Sequence, residues 1–293
     1  MTDPLIPASA PAPIPEDFAL DSGGTRLVCH WWTPLGGAAR SRKRMPIVLV
    51  HGGGVDSSFF SGTGLAQNVA TDRPVLAYDR RGCGASDDAP DEGDWSAAVH
   101  VRDLTAVCER AGGGAPVIVL GHSLGGGIAL RLATARPDLV GALVVVEPFG
   151  VGDADAADRA RHAEAARLAS EGHLAQAVLV AAIAQGSSDP QAPRATPSEL
   201  AHIDRNLRTM IVHDLVAGDA SLDRDRARRS LAHTPTWVCL GDLSADQAAG
   251  RVCPDLARDL GCPLVRIPGS HNAPRDHPEE FAAVAGDLLA VLR

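Results

Sequence analysis

No Cys-x-x-Cys pair occurs in this 293-residue chain. Its six cysteines (Cys29, Cys83, Cys108, Cys239, Cys253 and Cys262) stand alone, and none is grouped with histidines at zinc spacing. They read as small core residues or reduced thiols rather than as a disulfide scaffold or metal set. Lysine is nearly missing, one against 26 arginines, and the formal net charge is -9. The arginines are spread along the chain, so no broad basic surface is implied and nucleic acid is not an expected partner. No apolar run approaches the roughly 20 residues of a membrane span. The first fifteen residues, MTDPLIPASAPAPIP, lack the positive start and continuous apolar stretch of a secretory signal. They read as part of a disordered proline-rich arm over residues 1–17. These absences lead to the expectation of a cytoplasmic protein with no membrane attachment.

What is present suits one large domain: 45% apolar and 22% charged residues. A chain of this size can bury roughly 75% of its unfolded surface without a staple. From Phe18 onward, short apolar runs alternate with glycine, proline and aspartate. Thr25 to Trp32 is a strand candidate, and Pro46 to Val50, Pro74 to Tyr78 and Pro116 to Leu120 have the length and branched content of strands buried on both faces. Ala142 to Val146, Thr236 to Leu240 and Pro263 to Ile267 complete the set. Helical periodicity fills Trp95 to Arg110, Leu124 to Ala135 and Pro278 to Leu292. Alternating strands and helices predict a mostly parallel sheet covered by helices. Residues 149–234 break the rhythm, with helical spacing and no good strand. They are expected to form a helical cap over the sheet's carboxyl edge, divided by the breakers at Gly186 to Pro197. The core would then comprise residues 18–148 and 235–293.

Gly121-His122-Ser123-Leu124-Gly125 joins a strand directly to a helix. That context is the one a G-x-S-x-G nucleophile turn requires. A serine hydroxyl is a weak nucleophile at neutral pH and needs a base within reach. Of eleven histidines, His271 is best placed, in a loop between the last strand and the last helix and therefore at the same sheet edge as Ser123. His122 is expected to be aimed elsewhere by the turn, and His277 to cap or stay at the surface. The insertion's His162, His173, His202 and His213 read as solvated or structural. An oxyanion needs preorganised donors, and the backbone amides of Gly53, in the His51-Gly52-Gly53-Gly54 turn, and of Leu124 are the candidates. Gly54, Phe59 and Phe149 are candidate substrate-binding positions. Arg80 and Arg81 read as loop anchors, with a substrate carboxylate as the alternative. Arg40 to Arg44 reads as a solvated turn.

Taken together, HGGG at 51–54, DRRGCGAS at 79–86, GHSLGG at 121–126 and GSH with HPEEF at 269–281 resemble the α/β-hydrolase family over nearly all of residues 18–293. The resemblance implies about eight strands, a cap after the sixth, and the nucleophile ahead of the histidine in chain order. In much of that family the triad acid follows strand seven in a GxxD segment. Here the segment is Gly241-Asp242-Leu243-Ser244, with Ser244 in the acid's place. Another set, including hydrolases that open zearalenone-type lactones, carries a glutamate after strand six, and this chain has Val146-Glu147-Pro148 there. Pairing with a histidine would compensate a carboxylate at the end of a buried apolar strand. Glu147 is therefore the favoured acid and Asp242 the alternative.

The expectation is a serine hydrolase of carboxylesterase or lactonase type, acting through an acyl-enzyme on a small apolar ester or lactone and requiring no metal or organic cofactor. A serine nucleophile argues against the family's epoxide hydrolases and haloalkane dehalogenases, which use an aspartate. An acyltransferase or thioesterase, and a non-catalytic ligand-binding protein of the same fold, remain as alternatives. Oligomeric state is left open.

Overall fold

The computed structural model of the chain describes residues 14–34, 44–62, 64–70, 73–89, 95–152, 156–182, 194–215 and 221–292. Most of the proline-rich arm, residues 40–43 of the Arg40 to Arg44 turn and residues 186–193 of the breaker segment lie outside them.

Eight strands form one sheet: β1 (Glu16–Ser22), β2 (Thr25–Trp32), β3 (Ile47–Val50), β4 (Val75–Tyr78), β5 (Val117–His122), β6 (Val140–Val146), β7 (Thr236–Gly241) and β8 (Leu264–Ile267). Their spatial order is β1-β2-β4-β3-β5-β6-β7-β8. The β1–β2 and β2–β4 pairs are antiparallel and all others parallel. Every residue of β3, β4 and β5 is buried. Both faces of these central strands are covered, which is why their sequences are continuous apolar runs rather than alternations.

Odd and even strand positions feed two cores. Val48, Val50, Val117, Val119, Leu143 and Val145 pack with Leu104, Ile128 and Leu256 from helices on one face. Ile47, Leu49, Ile118, Leu120, Val144 and Val146 pack with Phe59, Phe60 and Phe281 on the other. The helices Ala97–Gly112, Leu124–Ala135 and Pro278–Leu289 occupy the three segments of helical period. Five cysteines are buried and Cys262 is half-buried. Burial pushes the thiols of Cys29, Cys83 and Cys239 up to about 12, so they stay protonated and inert.

Two boundaries differ from the sequence reading. Strand β1 begins at Glu16, inside the expected arm, because Glu16 to Ser22 pairs in register with Thr25 to Trp31. The Arg224–Ser230 helix, expected within the cap, places Ala227 in the core beneath the sheet. Between β6 and Arg224 every described regular element is helical, and Ala165, Ala169, Ala177, Met210, Ile211 and Leu215 gather into a third, smaller apolar cluster. Among the described residues, no helix is long and apolar enough to cross a membrane.

Candidate active site

Parallel strands direct their carboxyl ends to one edge, and ligands collect there. The segments leaving β3, β5, β6 and β8 carry Gly53, Ser123, Glu147 and His271 respectively.

Ser123 has φ 53° and ψ -123°, between the end of β5 and the first turn of the Leu124–Ala135 helix. Two neighbouring glycines permit this turn. A Cβ at Gly121 would lie 2.5 Å from the Gly125 carbonyl oxygen, and a Cβ at Gly125 only 2.2 Å from that of Val50. The Ser123 amide donates to the Val146 carbonyl at 2.9 Å, and the Ser123 carbonyl accepts from the Phe149 amide at 2.9 Å. These bonds straddle Glu147, which also has positive φ, 42°. Among the described residues, Ser123 and Glu147 are the two non-glycine residues with positive φ. Such conformations cost on the order of 1–3 kcal/mol each and concentrate at functional sites.

Glu147 and His271 are brought together across 124 residues. His271 Nδ1 lies 2.9 Å from Glu147 Oε2, with the carboxylate fully enclosed and the imidazole 23% exposed. The other oxygen, Oε1, accepts from the Gly241 amide at 2.8 Å. Burial pushes the Glu147 carboxyl up. The hydrogen bond and charge of His271, helped by the Ser244 hydroxyl and the Gly241 amide, outweigh it and hold the group below its ordinary value. Glu147 is therefore ionised at neutral pH.

Ser123 and His271 line one cavity of about 310 Å³, together with Gly53, Gly54, Phe59, Leu124 and Phe149. The amide of Leu124, the first residue of its helix, has no acceptor within that helix. Seven of the expected site residues thus share one space, with Glu147 behind His271 and outside the lining. Val55, His122, Ser270 and Asn272 add to this lining, and the opposite wall comes from the segment between β6 and β7: Val178, Ala181, Leu207, Met210, Asp214 and Leu215, which no motif or spacing marks.

Residues 47–284 match the sequence profile of the alpha/beta hydrolase family. The chain belongs to that family. Lipase LipV of Mycobacterium tuberculosis is 38% identical over 227 residues, spanning 74% of this chain and 83% of that protein. Human monoglyceride lipase is 29% identical over 168 residues, and the chain spans about half of its length, 52%. An esterase of Thermogutta terrifontis shares the fold with a TM-score of 0.70 at 18% identity, over 94% of this chain and 98% of that one.

In this alpha/beta hydrolase Asp242, the alternative acid, is turned to the surface and pairs with Arg266 at 2.9 Å. Ser244 is fully buried. Arg80 and Arg81 prove to be anchors rather than free cations. Arg80 donates to both oxygens of Asp214 at 2.7 and 3.1 Å, and Arg81 grips Asp103 at 2.6 and 2.7 Å. The first pair ties the 79–86 loop to the π-helical turn Met210–Asp214. Further ties run from Thr209 Oγ1 to the Gly82 carbonyl at 2.7 Å, from Asn206 Nδ2 to Asp56 at 2.9 Å, and from the Gly84 amide to Asn206 Oδ1 at 2.9 Å.

The other histidines have different surroundings. His51 accepts from the Arg80 amide at Nε2, 3.0 Å, so Nδ1 carries the hydrogen and donates to the Gly52 carbonyl at 2.8 Å. His162 is buried, and His213 stacks on Trp95 at 4.0 Å. His277 stands at the start of the last helix, and its side chain forms no capping hydrogen bond there.

Proposed function

We propose that this chain is a serine hydrolase that cleaves a carboxylic ester, or a lactone as its cyclic case, of a small apolar molecule. The observation that carries the reading is the 2.9 Å contact between His271 Nδ1 and buried Glu147, on the cavity that also holds Ser123. A neutral histidine whose Nδ1–H is held by a carboxylate keeps Nε2 unprotonated and basic. Nε2 takes the hydroxyl proton as Ser123 Oγ bonds to the substrate carbonyl carbon. Glu147 stabilises the imidazolium, and the amides of Gly53 and Leu124 receive the oxyanion. As the tetrahedral intermediate collapses, the bond to the leaving oxygen breaks and that oxygen takes the proton from Nε2. Water, deprotonated by the same nitrogen, then releases the acid and regenerates Ser123. Relatives named lipase and esterase support ester bonds as the target. The cavity stands at the lower end of the roughly 300–1,000 Å³ of small-molecule sites, which suits a small substrate.

A fluorophosphonate probe tests the nucleophile without knowledge of the substrate. Wild-type protein is expected to gain one adduct, mapped by peptide mass spectrometry to Ser123, and His271→Ala to gain none on the same timescale. A folded wild-type sample that resists the probe would sink this reading in favour of ligand binding without catalysis.

The segment between β6 and β7 would act as the specificity-bearing cap. Met210 lies against the candidate oxyanion turn: a Cβ at Gly53 would come within 2.8 Å of its Cγ, and one at Gly54 within 3.1 Å of its sulfur. With the leaving group on the His271 side, this reading places the acyl arm against the Met210 wall of the same cavity. Met210→Ala is expected to raise kcat/KM for hexanoyl over acetyl esters by about 10-fold relative to wild type, within the range that one or two methylenes command. An unchanged acyl-length profile would remove Met210 from the acyl pocket.

A further inference from the structure

His122, the residue before the nucleophile, is buried and makes one hydrogen bond across 149 residues of sequence. Its Nε2 lies 2.7 Å from the backbone oxygen of His271. A carbonyl oxygen can only accept, so Nε2 carries the hydrogen and donates it. Burial, reinforced by neighbouring His271 and only partly opposed by this hydrogen bond, holds the ring's pKa well below the ordinary histidine value. The ring is therefore neutral, and its other nitrogen is bare. Nδ1 is enclosed and has no hydrogen-bond partner.

The ring packs between two others at the edge of the cavity. It stacks on Phe59 at 4.5 Å and 17°, and its centroid lies 4.8 Å from that of His271. Enclosing an imidazole with one bare nitrogen is unfavourable compared with a hydrocarbon of similar size, unless the other nitrogen makes an interaction that matters. That interaction falls on the peptide of the residue that contacts Glu147 through its side chain.

We propose that His122 is a positioning residue: its Nε2–H fixes the backbone of His271, so that one dipeptide, His122-Ser123, sets both the nucleophile and the base. The inference rests on the triad reading of Ser123, Glu147 and His271. The His271 imidazole is held at Nδ1 by Glu147 and at its main chain by His122. Backbone bonds hold the loop on either side, from the Leu243 amide to the Gly269 carbonyl and from the Ala273 amide to the Ser270 carbonyl, both at 2.9 Å, and the His122 bond adds the attachment at residue 271 itself. Misplacement by about 1 Å can lower a rate by about 100-fold.

Glutamine and methionine at position 122 separate hydrogen bonding from packing. The Gln side chain can place an N–H near the position of Nε2, and Met offers a similar volume with no donor. His122→Met is expected to lower kcat for a short-chain ester and the rate constant of fluorophosphonate labelling together, by about 10- to 100-fold, with KM within about 2-fold. His122→Gln is expected to recover about 10-fold of that loss. Equal rates in the two variants, at whatever level, would mean that the ring only packs and would overturn the proposal. The tautomer is tested in the wild-type protein by NMR of ¹⁵N-labelled histidine. A neutral His122 with its proton on Nε2 is expected, and a proton on Nδ1 would overturn the proposal even if neither variant folds. Failure of the triad reading would look different, since Ser123→Ala would then keep wild-type turnover.

Discussion

Glu147→Gln is expected to lower kcat by about 10,000-fold while Asp242→Asn stays within about 2-fold of wild type. The glutamine fits the same space, and its carbonyl oxygen can still accept from the Gly241 amide, which donates to Oε1 in the native protein. The amide nitrogen then faces His271 Nδ1, where the carboxylate oxygen lies at 2.9 Å. An N–H donor there turns Nδ1 into the acceptor and moves the imidazole hydrogen to Nε2. The ring stays in place in the wrong tautomer, unable to take a proton from Ser123, and an imidazolium would have no counter-charge. Asp242 has no such role to lose, being about half exposed and paired with Arg266. Steady-state kinetics on a short-chain ester, with circular dichroism to verify folding, decide the matter. A dead Asp242→Asn beside an active Glu147→Gln would return the acid to the end of β7.

The second large effect is on stability. His51, His100 and His122 are buried, and burial lowers all three: His51 and His122 well below the ordinary value, and His100 to about 4. The Arg80 charge adds to this at His51 and His100. In the unfolded chain the same residues titrate at their ordinary value, near 6.5. Between the folded and unfolded values the unfolded state binds more protons, so stability rises with pH and is lost as pH falls below about 6.5. Each histidine contributes up to about 1.4 kcal/mol per pH unit, and the three together roughly 4 kcal/mol per pH unit at the steepest. Carboxylates titrate lower, which leaves pH 5–6.5 to the histidines. Urea unfolding at pH 7.5, 6.5, 5.5 and 5.0 should show a steep fall in midpoint, and His100→Gln should remove about one proton's worth of slope. Stability that is flat from pH 7.5 to 5.0 would mean that these rings are already charged in the folded protein.

The sheet and the site differed in how openly they were written in the sequence. Central strands such as Ile47–Val50 and Val117–His122 are buried on both faces, so composition alone marks them. Strand β1 is an edge strand in which Phe18 and Leu20 are only partly buried, and its charged remainder reads like the arm before it. Ser123, His271 and the Gly53 turn are legible because each adjoins a strand end. Glu147 is legible because a carboxylate ends an otherwise apolar run. Met210 and Asp214 carry no such mark. Their place depends on which loop the helical segment docks against, and the partner that fixes it, Arg80, lies 134 residues earlier. The carbonyl that His122 grips is equally invisible, since main-chain acceptors leave no trace in residue identity.

The ties from Asn206, Thr209 and Asp214 to residues 56 and 80–84 have a kinetic consequence. A wall held by a buried ion pair and several hydrogen bonds is assembled when the chain folds, not when substrate arrives. Under the proposed mechanism, free and acylated protein then present the same contour on that side. A burst of released alcohol in the first turnover would therefore measure slow deacylation rather than a slow closing step, and progress curves should start without a lag.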